Sequence, residues 1–215
     1  EGSLGKFKGF SLHAFDYAPE FTNLISSNIG LRGVSFESPA FEKKMDYTIF
    51  WGREGGGRFG NLSPGLIKIK DSFLSGFNLN LSPWKAQHYN FTVMKGWGRE
   101  RPEDLHTYGY DLNTSFHFDK MHLNYEIAND SETFAHLFDL TYSLPRLRLT
   151  TELRDTDKHF KTMTGWGWRA GELGVLSTLY YTPSEKLSIL SRLDVFQDRL
   201  FPNPKNDDRW NEDFN

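Results

Sequence analysis

Apolar and polar residues alternate one for one over most of this chain. Across 187–195, Leu187, Ile189, Leu193 and Val195 point one way, while Ser188, Arg192 and Asp194 point the other, because successive strand side chains take opposite sides. The run before it sets Leu173, Val175, Leu179 and Tyr181 against Glu172, Gly174 and Thr178, and Thr182-Pro183-Ser184-Glu185 joins the two as an antiparallel hairpin. The pattern confines the chain to half-buried strands. What remains open at this point is whether the apolar side packs on protein or on lipid.

The same period recurs in about eleven segments, at 6–16, 29–37, 44–52, 72–82, 86–97, 106–118, 121–128, 133–143, 146–154, 171–181 and 186–196. Residues 106–118 place Tyr108, Tyr110, Leu112, Phe116 and Phe118 on one side of the chain. Asp111, Asn113 and His117 fall on the other. Residues 133–143 place Phe134, Phe138, Leu140 and Tyr142 opposite Asp139 and Thr141, and 146–154 set Leu147, Leu149 and Leu153 against Arg146, Arg148, Glu152 and Arg154. No segment reads as an amphipathic helix, and no apolar run approaches the roughly 18 residues of a membrane-crossing one. The expected fold is all-β, an antiparallel up-and-down sheet of about 10–12 strands forming a single domain over 1–215, with a polar tail or external loop at 199–215.

Connections between these segments alternate in length. Short ones fall at Ser38-Pro39, Ser82-Pro83-Trp84-Lys85, Asp119-Lys120, Leu144-Pro145 and Thr182-Pro183-Ser184-Glu185; longer, polar and Gly-rich ones fall at about 17–28, 53–71, 98–105 and 155–170, with 129–132 a short exception. One rim short and the other long is the plan of a transmembrane β-barrel. The strand ends Leu81-Ser82-Pro83, Leu144-Pro145 and Tyr181-Thr182-Pro183, each followed at once by another alternating strand, resemble the periplasmic turns of porin-like and exporter-like barrels of the Gram-negative outer membrane. The resemblance covers nearly the whole chain and is architectural. It implies an outer-membrane protein whose apolar side meets lipid.

Composition fits that expectation. There are 19 Phe, 9 Tyr and 6 Trp, an excess suited to a lipid-facing wall, and no Cys, which excludes thiolate metal sites and disulfides and suits an oxidising compartment. A net charge of -3 gives no nucleic-acid footprint. Trp51-Gly52-Arg53-Glu54 and Trp97-Gly98-Arg99-Glu100 repeat the same four residues where strands approach the long-loop rim, and Gly165-Trp166-Gly167-Trp168-Arg169 precedes a strand leaving it. Trp51, Trp97, Trp166 and Trp168 are therefore expected at the membrane interface, where an indole satisfies both its ring and its N–H.

Eleven is an odd number, whereas single-chain bacterial barrels have even counts. Either one strand is miscounted or these strands belong to a larger barrel; on the second reading 186–196 pairs on one side with 171–181 and on the other with a strand from outside the chain. The tail beyond Phe201, polar and carrying Pro202 and Pro204, is not expected to supply it.

Enzyme chemistry finds little footing. Gly55-Gly56-Gly57-Arg58-Phe59-Gly60 satisfies G-x-G-x-x-G, but Asn61-Leu62-Ser63-Pro64-Gly65 cannot start the helix that a dinucleotide site needs, so no cofactor is expected. His117 and His122 flank a tight turn without a third metal ligand at a recognisable spacing. The polar side is the better candidate. It offers Asp111, Asn113, His117, His122, Glu126, Asp139, Arg146, Arg148, Glu152, Arg154, Glu172, Arg192 and Asp194 as pore-lining residues, a mixture of charges of the kind that sets selectivity in a hydrated lumen or, in a narrow barrel, pairs and fills it. The expected function is a non-enzymatic pore or export conduit for a polar solute. Its competitors are a scaffold binding a plug in the lumen or a surface partner protein through the external loops, and, with less support, an outer-membrane lipid hydrolase.

Overall fold

The computed structural model describes residues 2–4, 7–17, 22–25, 30–40, 44–55, 69–99, 107–163, 171–200 and 211–214. All the strands lie in one antiparallel sheet in chain order: β1 (Gly2–Leu4), β2 (Phe7–Tyr17), β3 (Leu31–Ala40), β4 (Met45–Gly55), β5 (Ile69–Trp84), β6 (Gln87–Gly98), β7 (Tyr108–Phe118), β8 (Met121–Asn129), β9 (Phe134–Leu144), β10 (Leu147–Thr156), β11 (Glu172–Ser184), β12 (Leu187–Asp198) and β13 (Asn211–Phe214). The eleven long strands, β2 to β12, are the eleven alternating segments. No helix occurs among the described residues, and no pairing there joins the last strands to the first, so the sheet is open at both ends.

Short and long connections alternate as the sequence implies. Lys85-Ala86, Asp119-Lys120, Pro145-Arg146 and Glu185-Lys186 are two-residue turns on one rim. Three of the prolines sit differently from expectation: Pro39, Pro83 and Pro183 lie inside strand ends, not in the turns. Pro39 pairs with Asp46 beyond the point where β2 stops pairing with β3, and Pro83 and Pro183 occupy the irregular stretches between Leu81 and Trp84 and between Tyr181 and Ser184. A residue without an N–H is tolerated where a ladder is already interrupted. The tail also departs from expectation. Asn211–Phe214 lies antiparallel along 193–196 of β12, so the strand flanking β12 there comes from this chain and not from outside it.

The ladder fixes which residues share a face. One row runs Pro39, Asp46, Asn80, Asn90, Asn113, Glu126, Leu137, Arg154 and Gly174; another runs Glu37, Thr48, Asn78, Thr92, Asp111, Ala128, Ala135 and Thr156. Two connecting segments, residues 22–25 and 157–163, fold across this face, which we term inner. The backbone N–H of Leu24 donates to Glu126 Oε1 at 2.7 Å. That bond requires the sheet to curl. Glu126 lies five strands across from Leu31 and eight residues along, about 36 Å away on a flat sheet. The seven residues from Leu24 to Leu31 reach at most about 25 Å, and the glutamate side chain adds only about 5 Å. Strand twist supplies curvature of this kind in large antiparallel sheets.

Because the sheet curls round its inner face, the core forms there. Leu31, Phe50, Leu74, Met94, Ala128, Ala135 and Leu137 from the strands are buried with Leu24, Ile25, Phe160 and Met163 from the two loop segments. Phe50, Leu74 and Met94 carry apolar bulk at inner-face positions flanked on that face by a hydroxyl residue and a glycine, whereas on β7 to β12 the same face carries buried charge towards the long-loop rim. Gly109 leaves the space the loops fill: a Cβ there would lie 2.9 Å from Met163 Sδ and 3.2 Å from Ile25 Cγ2. Gly109→Val should therefore destabilise the folded sheet by about 1–3 kcal/mol through overpacking, read as a lowered urea midpoint.

Candidate functional site

The inner face carries four polar groupings. The first is built on Arg154 of β10, which is 3 % exposed. Its Nε donates to Glu172 Oε2 of β11 at 2.8 Å and its Nη2 to Asp194 Oδ1 of β12 at 2.7 Å, and Glu152 Oε1 stands 3.5 Å from Nη1. Register explains the convergence. Arg154 faces Gly174, which has no side chain to block the guanidinium from reaching β12, while the Phe196 ring lies 5.8 Å away on the far side. Arg192, by contrast, is half exposed and only 3.8 Å from the second Asp194 oxygen. A planar guanidinium with two short bonds in fixed directions is the geometry that repays desolvation.

Glu126 is the centre of the second. Fully buried, it accepts from Leu24 N, from Asn23 Nδ2 at 3.2 Å and from Asn113 Nδ2 at 3.3 Å. Beside it Asp111 is 1 % exposed, lies against the Glu126 carboxyl, and among the described residues receives no N–H or hydroxyl donor. The third grouping was not anticipated from sequence: an amide ladder in which Asn80 donates to Asp46 at 2.7 Å, Asn90 to Asn80 at 2.5 Å, and Asn78 to Asn90 at 3.0 Å and to Thr92 at 2.8 Å. Each of its members is polar by period, yet only the register reveals that they are neighbours.

At the short-turn rim His117 stacks on His122, ring centroids 4.1 Å apart, and His88 meets His117 edge-on at 5.6 Å. Stacked rings do not converge their nitrogens, and among the described residues no group of three or more metal-ligating side chains is placed to hold an ion. Ser82 Oγ lies 2.8 Å from His88 Nδ1, a nucleophile-to-base distance. No carboxylate hydrogen-bonds His88 among the described residues, however, so the third member that would orient such a base is missing.

The remaining predicted residues are spread out. Asp139 faces Asn124 and Glu152 across the ladder, and Arg148 is exposed beside Ser143 and Tyr180. Arg146 is not on the wall: it sits in the Pro145-Arg146 turn, where its Nη1 donates to Pro183 O at 3.2 Å, because β9 ends at Leu144 and β10 begins only at Leu147. On the opposite, outer face, Trp51 and Trp97 stack on either side of Phe73 at 5.7 and 5.9 Å, with the Arg53 guanidinium 5.1 Å from the Phe73 ring and the Lys95 ammonium 5.2 Å from Tyr108. Trp166 and Trp168 lie outside the described residues, as does the glycine run from Gly56 to Gly60.

Removing Arg154 strips three carboxylates of a shared cation. Arg154→Ala is expected to cost about 3–5 kcal/mol in urea unfolding, whereas Arg192→Ala should stay within about 0.5 kcal/mol. Equal costs would mean that the buried cluster does not hold the last strands together.

No protein family, curated protein or solved structure that was compared matches the chain.

Proposed function

We propose that this sheet is wall of an outer-membrane β-barrel, and that a polar solute crosses along its inner face without covalent chemistry. One observation carries the reading: the outer face is apolar and exposed across the whole width of the sheet. Leu12, Val34, Ile49, Trp51, Phe77, Phe91, Trp97, Tyr110, Leu112, Tyr125, Phe134, Tyr142, Leu153, Tyr181, Ile189 and Leu193 all stand on it, all exposed. Soluble monomers seldom leave contiguous apolar patches beyond a few hundred Å² in water, and this band runs from β2 to β12. Lipid is the solvent in which it costs nothing. The indoles near the long-loop rim, with Arg53 and Lys95 beside the aromatic string, suit the interface of such a bilayer.

Passage is supported by the polar chemistry of the inner face, where carboxylates, a guanidinium group and amides occupy adjoining rows of the ladder, Asp111, Glu126, Arg154 and Asp194 among them buried. A scaffold reading is favoured by a separate observation, the apolar cluster that fills the inner face towards the long-loop rim, since a barrel that only displays its loops can be packed inside. Planar-bilayer recordings separate the two. A conduit gives discrete conductance steps; a scaffold gives none and copurifies with its partner at fixed ratio.

Lipid contact is tested by depth. Leu193 stands mid-strand on the outer face of β12, so Leu193→Arg should cost about 2–4 kcal/mol on folding into vesicles. Ile189 is close to the Glu185-Lys186 turn and Ile189→Arg should cost only about 0–1 kcal/mol, with Ser188→Arg on the inner side equally mild. Three equal costs would remove the bilayer from this face.

A further inference from the structure

Two loop segments from distant hairpins meet over the inner face. Residues 22–25 come from the connection between β2 and β3, and residues 157–163 from that between β10 and β11. They touch where Met163 N donates to Ile25 O at 3.2 Å, above Gly109 of β7. Each is fixed to the wall by a carboxylate: Glu126 takes Leu24 N and Asn23 Nδ2, and Asp130 takes Lys161 N at 2.9 Å. Asp130 is itself held, its other oxygen accepting from the N–H groups of Glu132 and Thr133 at 3.1 and 2.8 Å in the tight β8–β9 connection. Leu24, Ile25, Phe160 and Met163 are all buried.

The geometry points to a two-part strap: residues 22–25 and 157–163 close the inner face at the long-loop rim, Glu126 and Asp130 hold them shut, and solute passes only when the Glu126 end is released. This rests on the conduit reading above. Three features set the strap apart from an ordinary core. Among the described residues, carboxylate-accepted hydrogen bonds at Glu126 and Asp130 join it to the wall, each carboxylate removable by a single change. It comes from the rim on which a conduit must open. Beneath it, Asp111 is buried directly against the Glu126 carboxyl, and among the described residues no N–H or hydroxyl donates to its oxygens. Two carboxyls desolvated side by side disfavour the closed state, and lifting the strap admits the water that relieves them.

The chain has no cysteine, so introduced pairs are unambiguous. In the full chain folded into planar bilayers, the disulfide between Ile25→Cys and Met163→Cys, verified by gel mobility, should conduct at least about tenfold less than the same protein reduced. Glu126→Ala should conduct more than the unaltered protein. Equal conductance with the disulfide closed and open would overturn the proposal. A second readout does not depend on conduction: Ala128→Cys, buried under the strap, should react with a water-soluble maleimide about tenfold faster when Glu126→Ala is present. Unchanged labelling sinks the strap. Faster labelling in a protein that never conducts keeps the strap as a lid on a closed lumen and sinks the conduit.

Discussion

Glu126 holds the inner face in its present form. One carboxylate on β8 accepts a backbone N–H and an amide from a segment whose nearest strands lie five and six positions away in the sheet. A flat sheet cannot make that bond, so it and the curl are the same fact stated twice. Curl in turn decides everything about solvent. It gathers one set of alternate side chains into a shared interior, where Leu24, Ile25, Phe160 and Met163 find apolar partners, and turns the other set outward, exposed among the described residues. In water the exposed set would be a liability. In lipid it is the condition for folding at all, because backbone groups in hydrocarbon must be paired by neighbouring strands.

Buried charge is the second consequence. Arg154, Glu172 and Asp194 lie on three successive strands, and the cost of desolvating them is offset only because the register puts them at hydrogen-bond distance. Gly174 makes this possible, since any side chain there would stand between the guanidinium and β12; a Cβ at that position would already lie 3.0 Å from Arg154 Nη2. The amide ladder on β5 and β6 solves the same problem with neutral groups. Its donors and acceptors match one another, so Asn78 and Thr92 are fully buried without an orphaned amide nitrogen.

The long strands were legible in the sequence because their period is two and they are long enough to show it. β1 and β13, of three and four residues, are too short for any period to be read. Where the sequence places a turn at Pro83 and at Pro183, the turn itself lies two residues further on: both prolines mark an irregular strand end just before it. Period also assigns a residue to a side but not to a neighbour. Arg154 and Glu172 were both visible as polar positions, yet their pairing depends on β10 meeting β11 with Leu153 opposite Val175, which no local pattern states. Phe50, Leu74 and Met94 were hidden for the opposite reason: they put apolar residues on the face that the alternation assigns to polar ones. His88 escaped notice because it belongs to an earlier hairpin and reaches His117 only across β6 and β7.

These particulars bear on how one face can bury apolar and charged groups together. A soluble sandwich separates the tasks by packing two apolar faces together and leaving two polar ones to water. Here the inner face carries both kinds of chemistry: Phe50, Leu74 and Met94 place apolar bulk on β4 to β6, while Asp111, Glu126, Arg154, Glu172 and Asp194 bring charge towards the same rim on β7 to β12. The apolar part depends on covalently attached loops to complete it, and the loops depend on a carboxylate of the polar part to stay in place. Packing of the inner face and attachment of the loop segments therefore rest on the same few hydrogen bonds at Glu126 and Asp130.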